Sequence, residues 1–371
     1  MIRKIIEQYV QLVPDGKYFV GKSPFSDSKL PLLVVDEETD TFTDISTGIS
    51  GDAVAFIENL KGVSYETAKM IVEERESIRE ETEEEKTLKK ICAEAQKFFL
   101  HNLTLKSAAP AMEYLKTRGF SEEDIKTYGF GYAGKYGDKL YKYLRKTYGE
   151  EEILLTGLCK KKDGTPVDLF WNRVMIPIKN SAGEIVAFGG RVLDDGTPKY
   201  INSPESPIFH KRELLYGYHI AKDIECNAYI LCEGYMDTIS LHKAGFTNAV
   251  ASLGTALTKN QCELLLNKKK VYVLYDSDTA GVSACIKAVP MLEKIGLRTL
   301  VVDYSPYKDP DEFLKTEGAE KFYDRIGETK IPGEVFVVKK LIEQDINKAV
   351  KYLSNKSLKN ITKIGGALCI K

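Results

Sequence analysis

What this 371-residue sequence has little of narrows its reading first. It has one tryptophan and four histidines, and His101, His210, His219 and His242 are scattered without metal-ligand spacing. Its seven cysteines (Cys92, Cys159, Cys226, Cys232, Cys262, Cys285 and Cys369) form no Cys-x-x-Cys pair. Several lie in apolar patterns, where a reduced, buried thiol is the default. An odd count without paired spacing argues against a disulfide framework and for a cytoplasmic protein. No apolar stretch reaches membrane-spanning length, and Arg3, Lys4, Glu7 and Asp15 interrupt any signal-peptide core, so no membrane partner is expected. There is no Gly-x-x-x-x-Gly-Lys-Ser/Thr loop, no Gly-x-Ser-x-Gly elbow and no internal repeat, which leaves P-loop and hydrolase readings without support. An excess of one charge is missing too. With 53 Lys and Arg against 54 Asp and Glu, nucleic-acid binding would have to come from a local patch.

What is present belongs to a soluble globular protein: 43% hydrophobic and 29% charged residues, with length for two or three domains. Three apolar runs share one pattern. Ala228 to Cys232 leads into Glu233-Gly234-Tyr235-Met236-Asp237. Val271 to Tyr275 leads into Asp276-Ser277-Asp278-Thr279-Ala280-Gly281. Thr299 to Val302 is followed by Lys308-Asp309-Pro310-Asp311-Glu312. Helical patterns separate the runs, which predicts an α/β unit with a parallel sheet. Ligands of such sheets bind beyond the carboxyl ends of the strands, so Glu233, Asp276, Asp278, Asp309 and Asp311 are expected at one edge. Acids gathered there repel one another unless a cation intervenes, and hard oxygen ligands suit Mg²⁺ or Mn²⁺. Acids at strand ends also serve as helix N-caps, which is the plainer reading of any one of them.

A second stretch is basic. Trp171 to Ile178 and Glu184 to Gly190 read as strands joined by a turn at Asn180 to Gly183. Arg173, Arg191, Lys199 and Lys211 punctuate this region, with Tyr200 and Phe209 between them. The spacing suits a groove tracking phosphates, and equally a small sheet made soluble by its Lys and Arg. Gly189-Gly190 marks either a close backbone approach to a ligand or a β-bulge.

The acidic stretch resembles the Toprim domain, the catalytic fold of bacterial DnaG-type primases, of type IA and II topoisomerases and of some nucleases. Four motifs in order are similar to the primase branch: Glu233-Gly234-Tyr235-Met236-Asp237, Ala251-Ser252-Leu253-Gly254-Thr255-Ala256-Leu257-Thr258, the Asp276-x-Asp278 run with its Ala-Gly, and Lys308-Asp309-Pro310-Asp311-Glu312. The basic stretch resembles the subdomain that precedes Toprim in the primase core, through Arg173-Val174-Met175, Gly189-Gly190-Arg191-Val192-Leu193, Pro198-Lys199-Tyr200 and Phe209-His210-Lys211. The resemblance implies a nucleotidyltransferase joining ribonucleoside triphosphates on single-stranded DNA. Glu233, Asp276 and Asp278 are then the catalytic acids, and these with Asp309 and Asp311 hold Mg²⁺ or Mn²⁺. Arg173, Arg191, Lys199 and Lys211 line the nucleic-acid and nucleotide side. Asp237 either supports the Glu233 turn or favours the helix dipole. A Toprim nuclease and a non-catalytic nucleic-acid-binding paralogue stay open as alternatives.

The start of the chain reads as a small module: a helix over Ile2 to Leu12, short strands at Tyr18 to Val20, Leu32 to Val35 and Thr41 to Thr43, and helices over Asp52 to Leu60 and, with a Ser cap, Ser64 to Glu74. It resembles the primase zinc-binding domain, but Ser23, Ser26, Asp44 and Thr47 stand where that family has three Cys and one His. Hydroxyls and one carboxylate do not replace thiolate and imidazole on Zn²⁺, so no zinc is expected. The module is then either a structural remnant or a carrier of altered template recognition. The expected fold class is α/β overall: a Toprim domain with a parallel central sheet, a preceding basic mixed α/β subdomain, a zinc-ribbon-like N-terminal module and a helical C-terminal end. The expected division is residues 1–76, a charged linker or exposed helix at 77–90, the basic subdomain at 91–222, Toprim at 223–316 and a helical segment at 317–371. Glu317 to Glu343 reads as helices, and the Lys-rich tail beyond Asp345 as an aid to nucleic-acid binding or a free end. The helicase-binding domain is expected to be absent, which puts contact with a replicative helicase in question.

Overall fold

The computed structural model describes residues 2–63, 65–76, 81–254, 256–354 and 356–369. The chain divides into two compact units, Met1–Glu81 and Thr82–Lys371. In the first, helix α1 (Ile2–Ile6) is followed by strands β1 (Leu12–Asp15), β2 (Tyr18–Gly21), β3 (Leu33–Asp36), β4 (Thr41–Asp44) and β5 (Ser50–Gly51), then helices α2 (Ala53–Lys61) and α3 (Tyr65–Glu76). The five strands form one antiparallel meander in chain order. Phe25, Phe42 and Phe56 meet at its centre with ring centroids 5.2–6.0 Å apart. The helix expected to reach Leu12 stops at Ile6. Leu12 to Asp15 pairs instead with Tyr18 to Gly21 as a hairpin, with Gly16 at φ 61° in its turn. Helix α2 starts where expected, because the Asp52 carboxylate accepts from the Ala55 amide. The expected Ser64 cap lies outside the described residues.

The second unit opens with α4 (Glu83–Leu103), so the charged run from Glu83 onward is the start of a helix, capped reciprocally by Thr82 and Glu85. Residues 77–80 of that run lie outside the described residues. Helices α5 (Ala109–Thr117) and α6 (Glu122–Tyr128) lead to β6 (Gly131–Tyr132). Helices α7 (Lys139–Leu144) and α8 (Glu150–Leu155) and the hairpin of β7 (Cys159–Lys162) and β8 (Thr165–Asp168) precede β9 (Arg173–Lys179), β10 (Ile185–Val192) and β11 (Tyr200–Asn202). These last three make an antiparallel sheet with β6, in the order β11-β10-β9-β6. The irregularity in β10 falls between Ile185 and Ala187, not at the glycines. A Cβ at Gly189 would lie 2.8 Å from the Tyr235 ring, and one at Gly190 would lie 2.7 Å from Phe170 and 2.9 Å from Arg173. The two glycines admit protein side chains, neither a bulge nor a ligand.

After α9 (Tyr218–Ala221) comes the second sheet. Its strands are β12 (Ala228–Cys232), β13 (Ala249–Ala251), β14 (Lys270–Val273) and β15 (Arg298–Val302), and α10 (Tyr235–Lys243), α11 (Lys259–Glu263) and α12 (Thr279–Lys294) cross over between them. The order β13-β12-β14-β15 is parallel throughout. Tyr229, Leu231, Val271 and Val273 are fully buried, as continuous apolar strands covered on both faces must be. Beyond α13 (Pro310–Glu317) and α14 (Ala319–Glu328), the short strand β16 (Lys330–Pro332) adds an antiparallel edge to β15, where only helices are expected from sequence. Helices α15 (Gly333–Gln344), α16 (Ile346–Ser354) and α17 (Leu358–Cys369) follow, so the described part of the Lys-rich stretch beyond Asp345 is largely helical. Cys92, Cys159, Cys226, Cys232, Cys262 and Cys285 are free thiols, buried except Cys226. Among the described residues no helix is long and apolar enough to cross a membrane.

Candidate active site

Three strand-to-helix connections at the carboxyl edge of the parallel sheet deliver the acids. Glu233 and Gly234 form the turn from β12 into α10. Glu233 Oε1 accepts the Asp276 amide at 3.0 Å, so one acid is pinned to the backbone of the next. β14 ends at Val273, three residues before Asp276, so Asp276 and Asp278 are not successive residues on one strand face. Asp276 lies in the turn, and Asp278 caps α12 by accepting from the Ala280 and Gly281 amides at 3.0 and 2.9 Å. In the loop after β15, Asp309 caps α13 through the Glu312 amide at 2.8 Å. Asp278 and Asp309 are therefore N-caps, in agreement with the plainer reading, and both also belong to the acidic rim. The Ser277 amide donates to the Lys308 carbonyl at 2.8 Å, tying the second connection to the third.

Gly281, in the first turn of α12, makes this packing possible. A Cβ there would lie 2.1 Å from the Asp276 carbonyl oxygen and 2.7 Å from Glu233 Oε1. No side chain fits between the first turn of α12 and the two acids.

The acids feel one another. Burial, then the Asp276 charge, raises the Glu233 carboxyl above its ordinary range. Burial, then Asp309, does the same for Asp276. Asp237, one turn into α10, is pushed well up by burial and by Asp309, Asp276 and Asp311. Lys308 sits among them, its Nζ 3.5 Å from Asp276 Oδ2 and 4.0 Å from Asp278 Oδ2, and its own pKa is raised chiefly by Asp276. Among the described residues, no three Asp, Glu, His or Cys side chains converge into a ready-made metal cage. Lys308 and the N-termini of α12 and α13 share the charge of the rim. Its donors are carboxylate oxygens alone, burial and neighbouring acids raise the carboxyls of Glu233 and Asp276, and that chemistry fits a hard divalent cation.

Asp311 is differently placed. It is buried, and its carboxylate accepts from Arg118 at 2.8 Å, Lys315 at 2.5 Å and the Ser240 hydroxyl at 2.5 Å. Two cations already neutralise it.

The rim opens on a cleft of about 390 Å³. Asp237, Asp276, Asp309 and Asp311 line it together with Arg118, Lys199, Lys211 and Lys308. Of the four basic residues expected to meet phosphate, Lys199 and Lys211 are on its wall. Arg173 is buried, and its guanidinium donates to the carbonyls of Gly190 and Pro198, both at 3.0 Å, bracing β10 against the loop that leads to β11. Arg191 is stacked between Tyr114 and Tyr200, 5.4 and 5.3 Å from the ring centroids, and its Nε is buried without a hydrogen bond. Arg118 and Lys308 are the cleft cations that the sequence did not single out. Lys308 opens the Lys-Asp-Pro-Asp-Glu motif, where the acids draw the attention. Arg118 ends a helix 193 residues from its partner Asp311, and nothing local marks it. Leu253 and Gly254 also line the cleft, at φ 60° and 69°, and Thr255 lies outside the described residues.

Three family patterns match successive parts of the chain: the CHC2 zinc finger over residues 1–88, the DNA primase catalytic core N-terminal domain over 98–222, and Toprim-like over 230–314. A DNA primase of Halalkalibacterium halodurans is 37% identical over 349 residues, covering 88% of this chain and 58% of that protein. The chain thus spans less than two thirds of that relative's length. Among solved structures, the zinc-binding and RNA polymerase domains of the Aquifex aeolicus primase superpose with a TM-score of 0.66 at 31% identity, covering 99% of this chain and 93% of that one. A DnaG primase catalytic domain bound to single-stranded DNA gives 0.68 at 31% identity, covering 77% and 96%.

Proposed function

The chain belongs to the DnaG-type DNA primase family, and from that premise we propose that it synthesises short RNA primers from ribonucleoside triphosphates on single-stranded DNA. The observation that carries this reading is a single cleft with a carboxylate rim at the end of a parallel sheet and Arg118, Lys199 and Lys211 on its walls. A polymerising site needs both signs of charge within one substrate's reach. We take residues 91–222 as the part that supplies the basic wall and 223–316 as the Toprim domain that supplies the rim.

Mg²⁺ or Mn²⁺ bound by Glu233, Asp276, Asp278 and Asp309 would supply activation of the 3′-hydroxyl and neutralisation of the leaving pyrophosphate. Asp311, already engaged by Arg118, Lys315 and the Ser240 hydroxyl, is the fifth acid of that set, and it also holds Arg118 at the cleft. Lys199, Lys211 and Arg118 bind the triphosphate and the template backbone by charge-assisted hydrogen bonds. Burial lowers the Lys211 pKa, a cost that an anionic partner would relieve. To Glu233, whose carboxyl is raised by burial and Asp276, we assign the holding of the catalytic ion or acceptance of the proton of the attacking hydroxyl. Lys308 balances the rim until substrate arrives.

The test is primer synthesis on single-stranded DNA with the four ribonucleoside triphosphates and Mg²⁺ or Mn²⁺. Wild-type protein is expected to make short RNA, and Glu233→Gln and Asp276→Asn to make none while melting at or above the wild-type temperature. Folded wild-type protein that stays inactive across templates and both metals would overturn the reading.

A further inference from the structure

The CHC2 zinc-finger match over residues 1–88 implies a metal that this unit has no chemistry to hold. The first cysteine in the chain is Cys92 and the first histidine is His101, so Met1–Glu81 contains neither thiolate nor imidazole. Where the family has its ligands stand Ser23, Ser26, Asp44 and Thr47, three neutral hydroxyls and one carboxylate. Zinc knuckles take sulfur and nitrogen donors, and this set offers none.

The four positions nonetheless come together. Asp44 ends β4 and is fully buried. Its Oδ1 accepts from the Ser46 hydroxyl at 2.5 Å and from the amide and hydroxyl of Thr47, both at 2.9 Å. The Ser46 hydroxyl is 2.8 Å from that of Ser26, and the Ser23 hydroxyl lies against the same carboxylate. The backbone closes around it: the Asp44 amide donates to the Ile49 carbonyl and the Asp44 carbonyl accepts from the Gly48 amide, both at 2.8 Å. One carboxylate therefore joins the loop at 23–26 to the turn at 44–47, the two segments that a knuckle metal would join.

We propose that Asp44 is a hydrogen-bonded clasp that replaces the metal, so that the N-terminal unit folds and stays folded without zinc. A buried carboxylate is tolerated when several donors point at it, and here they do. The remaining oxygen, Oδ2, is buried without a close hydrogen bond. A single carboxylate beside neutral hydroxyls is too few for a hard cation such as Ca²⁺ or Mg²⁺, which takes six or more oxygens. Burial alone would push the Asp44 carboxyl up, but the hydroxyls of Ser23, Ser46 and Thr47 and the Thr47 amide outweigh it and hold the group below its ordinary value. The clasp is consequently charged, and its donors are committed to it.

The test uses the full chain, purified from zinc-supplemented medium, and reads elemental metal content and hydrogen exchange over residues 12–51. Neither readout requires a polymerising reaction, so the outcome is independent of the primer assay. The expected results are no metal above trace and exchange unchanged by a chelator. Asp44→Ala is expected to speed exchange across β2, β4 and β5 by about tenfold or more. If Asp44→Ala unfolds the whole unit, Ser46→Ala, which removes one donor, is expected to speed exchange over residues 41–51 alone. Stoichiometric zinc or another transition metal overturns the proposal. So does wild-type exchange in both variants.

Discussion

Replacing Gly281 by alanine adds one methyl group and tests how the acidic rim is built. In most helices Gly→Ala stabilises by up to about 1 kcal/mol, because glycine is the poorer helix former. Here the sign reverses. The new Cβ would lie 2.1 Å from the Asp276 carbonyl oxygen, 2.8 Å from the Asp276 carbonyl carbon and 2.7 Å from Glu233 Oε1, and real Cβ contacts essentially never fall below 3.0 Å. The shortfall against the carbonyl oxygen is 3.0 minus 2.1, so backbone must yield by about 0.9 Å. The yielding segment carries Asp276, and its amide is the donor that pins Glu233. Overpacking of this kind costs about 1–3 kcal/mol of stability, and a displacement near 1 Å in a reacting constellation costs roughly 100-fold in rate. The assay is single-ribonucleotide addition to an annealed RNA primer, with a thermal melt of the same preparation. Gly327→Ala is the control. It lies inside α14 with nothing within 4 Å of its Cβ position, and it is expected to stabilise without affecting the rate. A Gly281→Ala protein with wild-type rate and melting temperature would refute the close packing of α12 on the acids.

Arg173 and the cleft lysines should separate cleanly. Arg173→Ala is expected to lower the melting temperature by removing the brace on Gly190 and Pro198, whereas Lys199→Ala and Lys211→Ala leave it unchanged, weaken binding to single-stranded DNA or nucleotide, and reduce the salt slope by about 0.7 for each phosphate no longer neutralised. Equal effects in melting and filter-binding measurements would erase that distinction. Arg118→Ala leaves the Asp311 carboxylate with Lys315 and Ser240 only, and a denaturant titration should show a destabilisation of about 1–3 kcal/mol, smaller when combined with Asp311→Asn. Glu293 faces Glu334, Lys356 and the Thr299 hydroxyl, and burial first, then Glu334, raises its pKa from 4.5 to about 7. Since the folded state holds the proton more tightly than the unfolded chain, the contribution of Glu293 to stability is greatest below pH 4.5 and is lost as pH rises to about 7. Glu293→Gln should therefore raise the melting temperature at pH 8 relative to wild type and change it little at pH 4.5; the same difference at both pH values would contradict the shift.

The parallel sheet was legible because β12, β14 and β15 are covered on both faces and so read as unbroken apolar runs that end abruptly in acids. Alternation and helical periodicity were less decisive where burial is slight. The helical pattern read from Ile2 ran on to Leu12, yet the helix stops at Ile6 and Leu12 opens an edge strand whose side chains are partly or fully exposed. β16 is three residues long and partly solvent-facing, too little for any pattern to mark. In the site, spacing located the acids but not their company. A basic residue on a strand carries no sign of which way it faces, and only the fold shows Arg173 spent on carbonyls while Lys199 and Lys211 reach the cleft. Arg118 reaches Asp311 across 193 residues of chain, a pairing that tertiary packing alone creates. In the N-terminal unit, the want of sulfur and nitrogen donors was plain in the sequence. The role of Asp44 as the shared acceptor was not, because Ser46, which is not one of the four ligand positions, supplies the link to Ser26.

The most direct test of the account is the single-turnover rate and nucleotide affinity for adding one ribonucleotide to an RNA primer on single-stranded DNA, compared among wild type, Asp276→Asn and Lys211→Ala. An acidic rim and a basic wall acting on one substrate predict that Asp276→Asn abolishes the rate with little change in nucleotide affinity, and that Lys211→Ala weakens nucleotide affinity. Wild-type addition by Asp276→Asn would contradict it.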